Sequence, residues 1–122
     1  MSADWNDNEP IYRQLKARIV AMLLDGLVAP GGQLPSVRQI AADFQLNPIT
    51  VSRAYQELAD DGLIEMRRGM GMFVTEGAPK KLLASERERF MREEWPKTLE
   101  RMEQLSIDPE QLISKIKRGG KK

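Results

Sequence analysis

Cysteine and histidine are both missing from the 122-residue chain. Without cysteine there are no disulfide bonds, thiolate metal sites or thiol nucleophiles. Without histidine the chain lacks the commonest metal ligand and the usual general base near neutral pH. The remaining residues supply no nucleophile–base pair, metal cluster or phosphate-binding loop. We therefore expect a protein that is not an enzyme and that uses neither a metal nor a cofactor.

Long hydrophobic runs are also missing. The longest apolar stretch, Ile19–Leu24, is interrupted at Asp25 and is far too short to span a bilayer. The first seven residues are acidic and lack the basic and apolar regions of a signal peptide. These features predict a cytoplasmic protein without membrane contact.

A strong excess of positive charge is absent too, since the formal net charge is +1. Residues 1–78 hold seven Arg and Lys against ten Asp and Glu, a balance of −3. Residues 79–122 hold twelve against eight, a balance of +4. The first part therefore lacks the overall basic character typical of nucleic-acid binders. Binding of nucleic acid by this part requires its cations to cluster on one surface.

Apolar residues at helical spacing predict a first helix. Asn8 is the expected capping residue, with Pro10 in the first turn and Gly26 just past the end. The predicted buried face consists of Ile11, Leu15, Ile19 and Leu23.

Two short capped helices follow. Ser36, with Gln39 three residues later, has the pattern of a capping box, and Asn47-Pro48 is a cap followed by proline at the first helical position. Gly62 ends the second of these helices. Two such helices separated by about three residues are typical of a helix-turn-helix.

The period changes after Gly62. Residues 63–67 alternate, 68–71 contain turn residues and 72–75 are strand-like. This pattern predicts a β-hairpin, which must pack on the helices because an isolated hairpin is marginal in water. We therefore predict a mainly α winged helix-turn-helix with a small β-hairpin over residues 8–78.

Residues 79–122 are predicted to form a helical tail. Pro96 is expected to kink or split its main helix, and Asp108-Pro109 repeats the cap-and-proline pattern. An apolar stripe on a short terminal helix usually marks an interface. The expected dimerisation residues are Phe90, Met91, Trp95, Leu99, Met102, Leu112 and Ile116.

The helix after Asn47 can present one face to its own core and the other to base edges. Arg53 can donate two hydrogen bonds to guanine, Gln56 can pair with adenine, and Ile49 can touch a thymine methyl group. Hydroxyl and amide side chains at helix starts suit phosphate contacts. The candidate DNA-binding residues are Ser36, Arg38, Asn47, Ile49, Thr50, Ser52, Arg53, Gln56, Arg67, Arg68 and Gly69.

Four motifs together resemble the GntR family of bacterial regulators: LPSVR at 34–38, NPITVSRAYQEL at 47–58, GLI at 62–64 and RGMGMFV at 68–74. The short tail is similar to that of the YtrA subfamily, and the resemblance implies that this tail forms a dimer. It also implies DNA contacts from Arg38, from the start of the recognition helix and from the wing tip at Gly69. Pro48 and Ser52 stand where many members carry arginine, and Met72 replaces a common wing threonine. These departures concern the operator sequence rather than the fold.

The resulting hypothesis is a homodimeric transcription regulator, a repressor, that binds double-stranded DNA at a pseudo-palindromic operator. Its half-sites should lie about 10 base pairs apart, or a multiple of that. The alternative is a winged-helix module that binds another protein, which the −3 balance of residues 1–78 favours. The sequence leaves open the operator, the target genes, any effector ligand and whether the regulator represses or activates transcription.

Overall fold

Six α-helices and one antiparallel hairpin make up the part of the chain that the computed structural model describes, residues 5–119. The elements are α1 (Ile11–Leu24), α2 (Val37–Phe44), α3 (Pro48–Asp60), β1 (Ile64–Arg67), β2 (Gly71–Val74), α4 (Ala78–Arg89), a π-helical turn (Phe90–Glu94), α5 (Trp95–Gln104) and α6 (Pro109–Gly119). The mainly α class with a small hairpin is confirmed. The chain divides into two compact units, of which the first ends at Ala84 and the second begins at Ser85.

Helix α1 begins differently from the prediction. Pro10, not Asn8, is the residue before the helix, and it offers no side-chain cap. The side-chain amide of Gln14 binds the segment before the helix. Its Nε2 donates to the carbonyl oxygens of Asn6 and Glu9, at 2.8 Å each. Its Oε1 accepts a hydrogen bond from the backbone N–H of Asn6 at 3.0 Å. A residue inside the helix therefore anchors the segment before it, while the N–H groups of Arg13 and Gln14 donate to the carbonyl oxygen of Pro10.

The caps of α2 and α3 follow the sequence closely. Ser36 Oγ accepts a hydrogen bond from the backbone N–H of Gln39 at 3.0 Å, but the Gln39 side chain donates to Asp43. Only half of the predicted capping box therefore forms. Asn47 Oδ1 accepts from the N–H of Ile49 at 2.8 Å, and proline occupies the first position of α3, as predicted.

The core of the first unit lies where α1 and α2 both pack on α3. The predicted stripe of α3 is buried, and the Tyr55 hydroxyl donates to the carbonyl oxygen of Pro35 at 2.6 Å. This bond ties α3 to the segment that leads into α2. Ala78 and Leu82 also belong to the core cluster, so the packing of the first unit extends into α4.

Burial raises the pKa of Tyr55 to about 12 from its ordinary value of 10.0. Between these two values the unfolded chain loses the phenol proton while the folded chain keeps it, so this group makes folding less stable as pH rises. Relative to Tyr55→Phe, we expect the wild-type free energy of unfolding to fall by up to about 1.4 kcal/mol per pH unit in this window. Urea unfolding of both proteins from pH 8 to 12 measures this difference, and parallel curves would contradict it.

The hairpin is extended by a third segment, residues 31–34, which precedes α2. The N–H of Gly31 donates to the carbonyl oxygen of Val74, and the N–H of Leu34 donates to that of Met72, both at 2.8 Å. Gln33 lies opposite Phe73 in an antiparallel bridge. The Gln33 side chain reaches the wing tip, where its Nε2 donates to the carbonyl oxygen of Met70 at 2.6 Å. The wing is therefore held at its tip from the loop before α2.

The second unit passes Pro96 without a break in its helical path. The N–H of Trp95 donates to the carbonyl oxygen of Phe90, five residues earlier, and Trp95 keeps helical dihedrals (φ −60°, ψ −43°). The wider turn precedes the proline, which stands in the first turn of α5. Asp108 Oδ1 accepts from the N–H of Glu110 at 3.0 Å, which confirms the predicted start of α6. Within residues 5–119, no helix is long and apolar enough to cross a bilayer.

Candidate nucleic-acid interface

Helix α3 has one buried face and one exposed face. Val51, Ala54 and Leu58 are fully buried, whereas Ile49 is 76% exposed. Three further predicted site residues on α3, Ser52, Arg53 and Gln56, are also exposed. Thr50 is half-buried. The helix thus presents an uncovered row of polar side chains and one apolar side chain, the composition that base-edge reading requires.

Arg53 is held by a contact that the sequence analysis missed. Its guanidinium carbon lies 3.9 Å from the centre of the Tyr12 ring of α1. Stacking on an aromatic face restricts a long side chain while leaving its N–H donors available. In the sequence, Tyr12 is recognisable only as an aromatic residue in the first turn of α1. Nothing in the sequence indicates that it contacts Arg53. Gln56, by contrast, donates to Asp60 Oδ1 at 3.0 Å on its own helix.

The start of α2 presents an exposed cation. Arg38 is exposed in the first turn, and among the described residues it makes no ion pair. Ser36 Oγ and Asn47 Oδ1 each accept a capping hydrogen bond, and this leaves the Ser36 hydroxyl proton and the Asn47 Nδ2 amide to donate to a phosphate. These two residues also begin helices whose N-terminal dipoles attract anions.

The two wing arginines differ in availability. Arg67 lies 4.2 Å above the centre of the Phe73 ring and pairs with Glu65 at 3.2 Å. Arg68 is exposed and has no ion pair among residues 5–119. Gly69 has a φ of +75°, a conformation that favours glycine and forms the tip of the turn. Of this pair, Arg68 is the better placed to meet a phosphate.

Two of the ten carboxylates of residues 1–78 lie at the C-terminal end of α3 and pair with Lys16 of α1. Lys16 Nζ lies 3.3 Å from Glu57 Oε1 and 2.9 Å from Asp61 Oδ2. Burial lowers the pKa of Lys16, but the hydrogen bonds and charges of Asp61 and Glu57 outweigh it, so the pKa is raised overall. These carboxylates are engaged with α1, away from the N-terminal end of α3. Glu57 and Asp61 therefore place little negative charge beside the candidate DNA-binding residues at the start of α3.

A substitution at Asn47 separates its capping role from a contact with phosphate. Asn47→Ala is expected to lower the free energy of unfolding by about 1 kcal/mol, because the N–H of Ile49 loses its acceptor. Asn47→Asp keeps an acceptor and is expected to preserve stability, while its charge repels DNA. Thermal unfolding and DNA titration of both variants test this. Equal stability of the alanine variant and the wild type would contradict the capping role.

The predicted dimerisation residues of the second unit are unequally exposed. Ile116 is 69% exposed, and Met102 is only 7% exposed, which leaves Met102 little surface to offer a partner. The exposed ones are Phe90, Met91, Leu99 and Ile116, and the half-buried ones are Trp95 and Leu112. Leu105 and Ile113, which were not among the predicted residues, are also large and exposed. The second unit therefore carries substantial uncovered apolar surface.

The family model "Bacterial regulatory proteins, gntR family" matches residues 11–74, more than half of the chain. The chain belongs to the GntR family. The matched residues run from the start of α1 to the end of β2. They include every candidate DNA-binding residue, and the winged helix-turn-helix is therefore the DNA-binding domain of a transcription regulator.

Two curated relatives from Bacillus subtilis (strain 168) place the chain within the GntR family. The uncharacterized HTH-type transcriptional regulator YhcF is 32% identical over 117 residues, covering 96% of this chain and 95% of YhcF. The HTH-type transcriptional repressor YtrA is 41% identical over 80 residues, covering 66% of this chain and 62% of YtrA. The resemblance to the YtrA subfamily is confirmed.

Solved GntR-type structures agree with this fold. A GntR family transcriptional regulator from Listeria monocytogenes superposes with a TM-score of 0.74 at 29% identity, covering 93% of this chain and 98% of the other. The AraR DNA-binding domain in complex with operator ORR3 superposes with a TM-score of 0.55 at 25% identity, covering 60% and 88%. The 60% of this chain that aligns with AraR is similar in length to the winged helix-turn-helix domain.

Proposed function

We propose that the chain is a cytoplasmic repressor that binds a pseudo-palindromic operator as a homodimer. The observation that carries the proposal is the uncovered face of α3, which begins at a capped Asn-Pro turn and holds Arg53 in a fixed position. In a helix-turn-helix, the N-terminal part of the second helix enters the major groove. The similarity to the repressor YtrA supports repression, and the similarity to the operator-bound AraR domain supports operator binding.

The proposed contacts divide into three groups. Ile49, Ser52, Arg53 and Gln56 face base edges, where direct readout of sequence takes place. Arg38 and Thr50, with the starts of α2 and α3, bind phosphates and fix the orientation. Arg68 and Gly69 bring the wing to the neighbouring minor groove, with Arg67 supporting the hairpin.

The proposed homodimer rests on the exposed apolar side chains of the second unit. Uncovered apolar surface of this extent is a liability for a monomer and is typical of an interface. A symmetric dimer places two copies of α3 on successive turns of the same DNA face, which explains a pseudo-palindromic site. Repression then follows from occlusion of a promoter by the bound dimer.

Selection of binding sites from random DNA, followed by titration of the selected site at several salt concentrations, tests the proposal. We expect two inverted half-sites whose centres lie about 10 base pairs or a multiple apart. With six to ten phosphate contacts, affinity should fall by about 10³- to 10⁵-fold between 50 and 200 mM salt. No enrichment of a sequence, or binding that is insensitive to salt, would contradict the proposal.

Ile116→Glu is expected to shift the dimer toward monomer, because it places a charge in an apolar interface. The neighbouring Lys115→Glu changes charge by a larger amount at an exposed polar position and serves as the matched control. Light scattering after size-exclusion chromatography measures the mass over a range of protein concentrations. Binding to the full operator should weaken with dimer loss, while binding to an isolated half-site should not. Identical masses for both variants would argue against this interface.

A further inference from the structure

The first unit contains an apolar cavity of about 300 Å³ between α1 and α2. Each of these helices packs on α3, and the space between them is left open. Leu15, Ile19 and Met22 of α1 face Ile40 and Phe44 of α2 across it. Pro35 and Tyr55 also line it. A volume of this size lies at the lower end of the range for small-molecule sites.

One cation, Arg18, lines the cavity and has no carboxylate partner within residues 5–119. The Arg18 guanidinium carbon lies 5.0 Å from the centre of the Trp5 ring and 5.9 Å from that of Phe44. Among the described residues Arg18 makes no ion pair, unlike Lys16 two positions earlier on the same helix. The aromatic rings hold the guanidinium in place and leave its N–H groups free to donate. An apolar cavity lined by a cation that is unpaired within the described part of the chain is complementary to an apolar carboxylate.

We propose that this cavity binds a small apolar carboxylate, whose hydrocarbon part fills the space between α1 and α2 and whose carboxylate pairs with Arg18. Octanoate, an unbranched eight-carbon carboxylate, combines an apolar chain with one carboxylate and is the probe of choice. The hydroxyl of Tyr55 already donates to Pro35, so the carboxylate finds its donors at Arg18.

The cavity lies against the parts that position the DNA-reading helices. Pro35 directly precedes Ser36, the cap of α2, and Tyr55 belongs to α3. A ligand that occupies the cavity contacts both partners of the Tyr55–Pro35 hydrogen bond and shifts the start of α2 relative to α3. This regulatory consequence rests on the proposed DNA-binding function, whereas the ligand site itself does not. Linkage requires operator DNA to change octanoate affinity by the same factor that octanoate changes operator affinity.

Isothermal titration of the full chain with octanoate and with 1-octanol tests the site without DNA. We expect Arg18→Gln to weaken octanoate binding at least tenfold and to leave octanol binding unchanged. Arg13→Gln, which removes an exposed charge from the same helix, should bind octanoate like the wild type. Ala21→Trp places a large side chain at the cavity wall and should abolish binding of both probes, while Ala42→Trp, exposed on α2 outside the lining, should not.

Each outcome decides one part of the proposal. Failure of the wild type to bind octanoate overturns the site. A structure of the dimer in which the second copy of the chain fills the cavity also overturns it. Equal binding of octanol and octanoate, or insensitivity to Arg18→Gln, overturns the carboxylate class. Octanoate should weaken operator affinity at least threefold in the wild type and have no effect in Ala21→Trp. Octanoate binding with unchanged operator affinity overturns only the regulatory consequence, and a chain that binds octanoate but no DNA overturns the proposed function instead.

Discussion

Arg53→Ala is expected to weaken operator binding by about tenfold to a hundredfold, the cost of one lost bidentate base contact. The Arg53 guanidinium carbon lies 3.9 Å from the centre of the Tyr12 ring. The side chain is therefore already ordered and loses little conformational entropy when it binds DNA. Loss of a base contact also reduces the difference in affinity between the operator and a version mutated at the contacted base. Fluorescence anisotropy with both DNA sites measures the two effects.

Arg53→Lys separates charge from geometry in the same assay. Lysine keeps the positive charge but not the planar pair of donors, so it retains non-specific attraction and loses discrimination between bases. We expect its salt dependence to equal that of the wild type and its sequence preference to approach that of Arg53→Ala. If Arg53→Ala keeps the full preference for the selected operator, another residue of α3 reads the base. Circular dichroism of both variants verifies that α3 remains folded.

Leu58→Ala is expected to lower the free energy of unfolding by about 2–5 kcal/mol, since the side chain is fully buried in the core beneath the reading face. For a small domain whose total stability is about 5–15 kcal/mol, this is a large fraction. The melting temperature should fall on the order of 10–20 °C. Urea and thermal unfolding followed by circular dichroism measure both quantities.

Two controls accompany Leu58→Ala. Ile49→Ala removes a large apolar side chain from the same helix, but at an exposed position, and should change stability by no more than about 0.5 kcal/mol. Leu58→Met keeps the volume of the buried side chain and should cost less than about 1.5 kcal/mol. Equal losses for Leu58→Ala and Ile49→Ala would show that the core does not lie where the structure places it.

Local signals in the sequence predicted most of the first unit. Asn47-Pro48, Gly62 and the stripe through Leu58 each reflect interactions within a few residues, and such interactions are visible in a linear sequence. The hairpin was found for the same reason, because alternation and turn residues adjoin each other. The exposed face of α3 follows from the stripe by geometry alone, so its candidate residues could be named without the structure.

The contacts that position these residues join distant parts of the chain and have no local signature. Arg53 and Tyr12 meet only because α1 packs on α3, and Gln33 reaches the wing tip only because its segment runs beside β2. Asn8 was expected to cap α1 from its residue type, yet α1 has no side-chain cap, and the amide of Gln14 binds the backbone of Asn6 across eight residues. The differing availability of Arg67 and Arg68 likewise depends on Phe73 and Glu65.

The bond between Gln33 and the wing tip has a consequence for protein engineering. The tip belongs to one hairpin, but its carbonyl at Met70 is held by a residue 37 positions earlier. A chimaera that exchanges residues 63–75 with those of a relative transfers the wing without its support. To transplant the specificity of the wing, the exchanged cassette must also carry residues 31–34, whose backbone pairs with β2. The unit of modular exchange in this domain is therefore discontinuous in the gene.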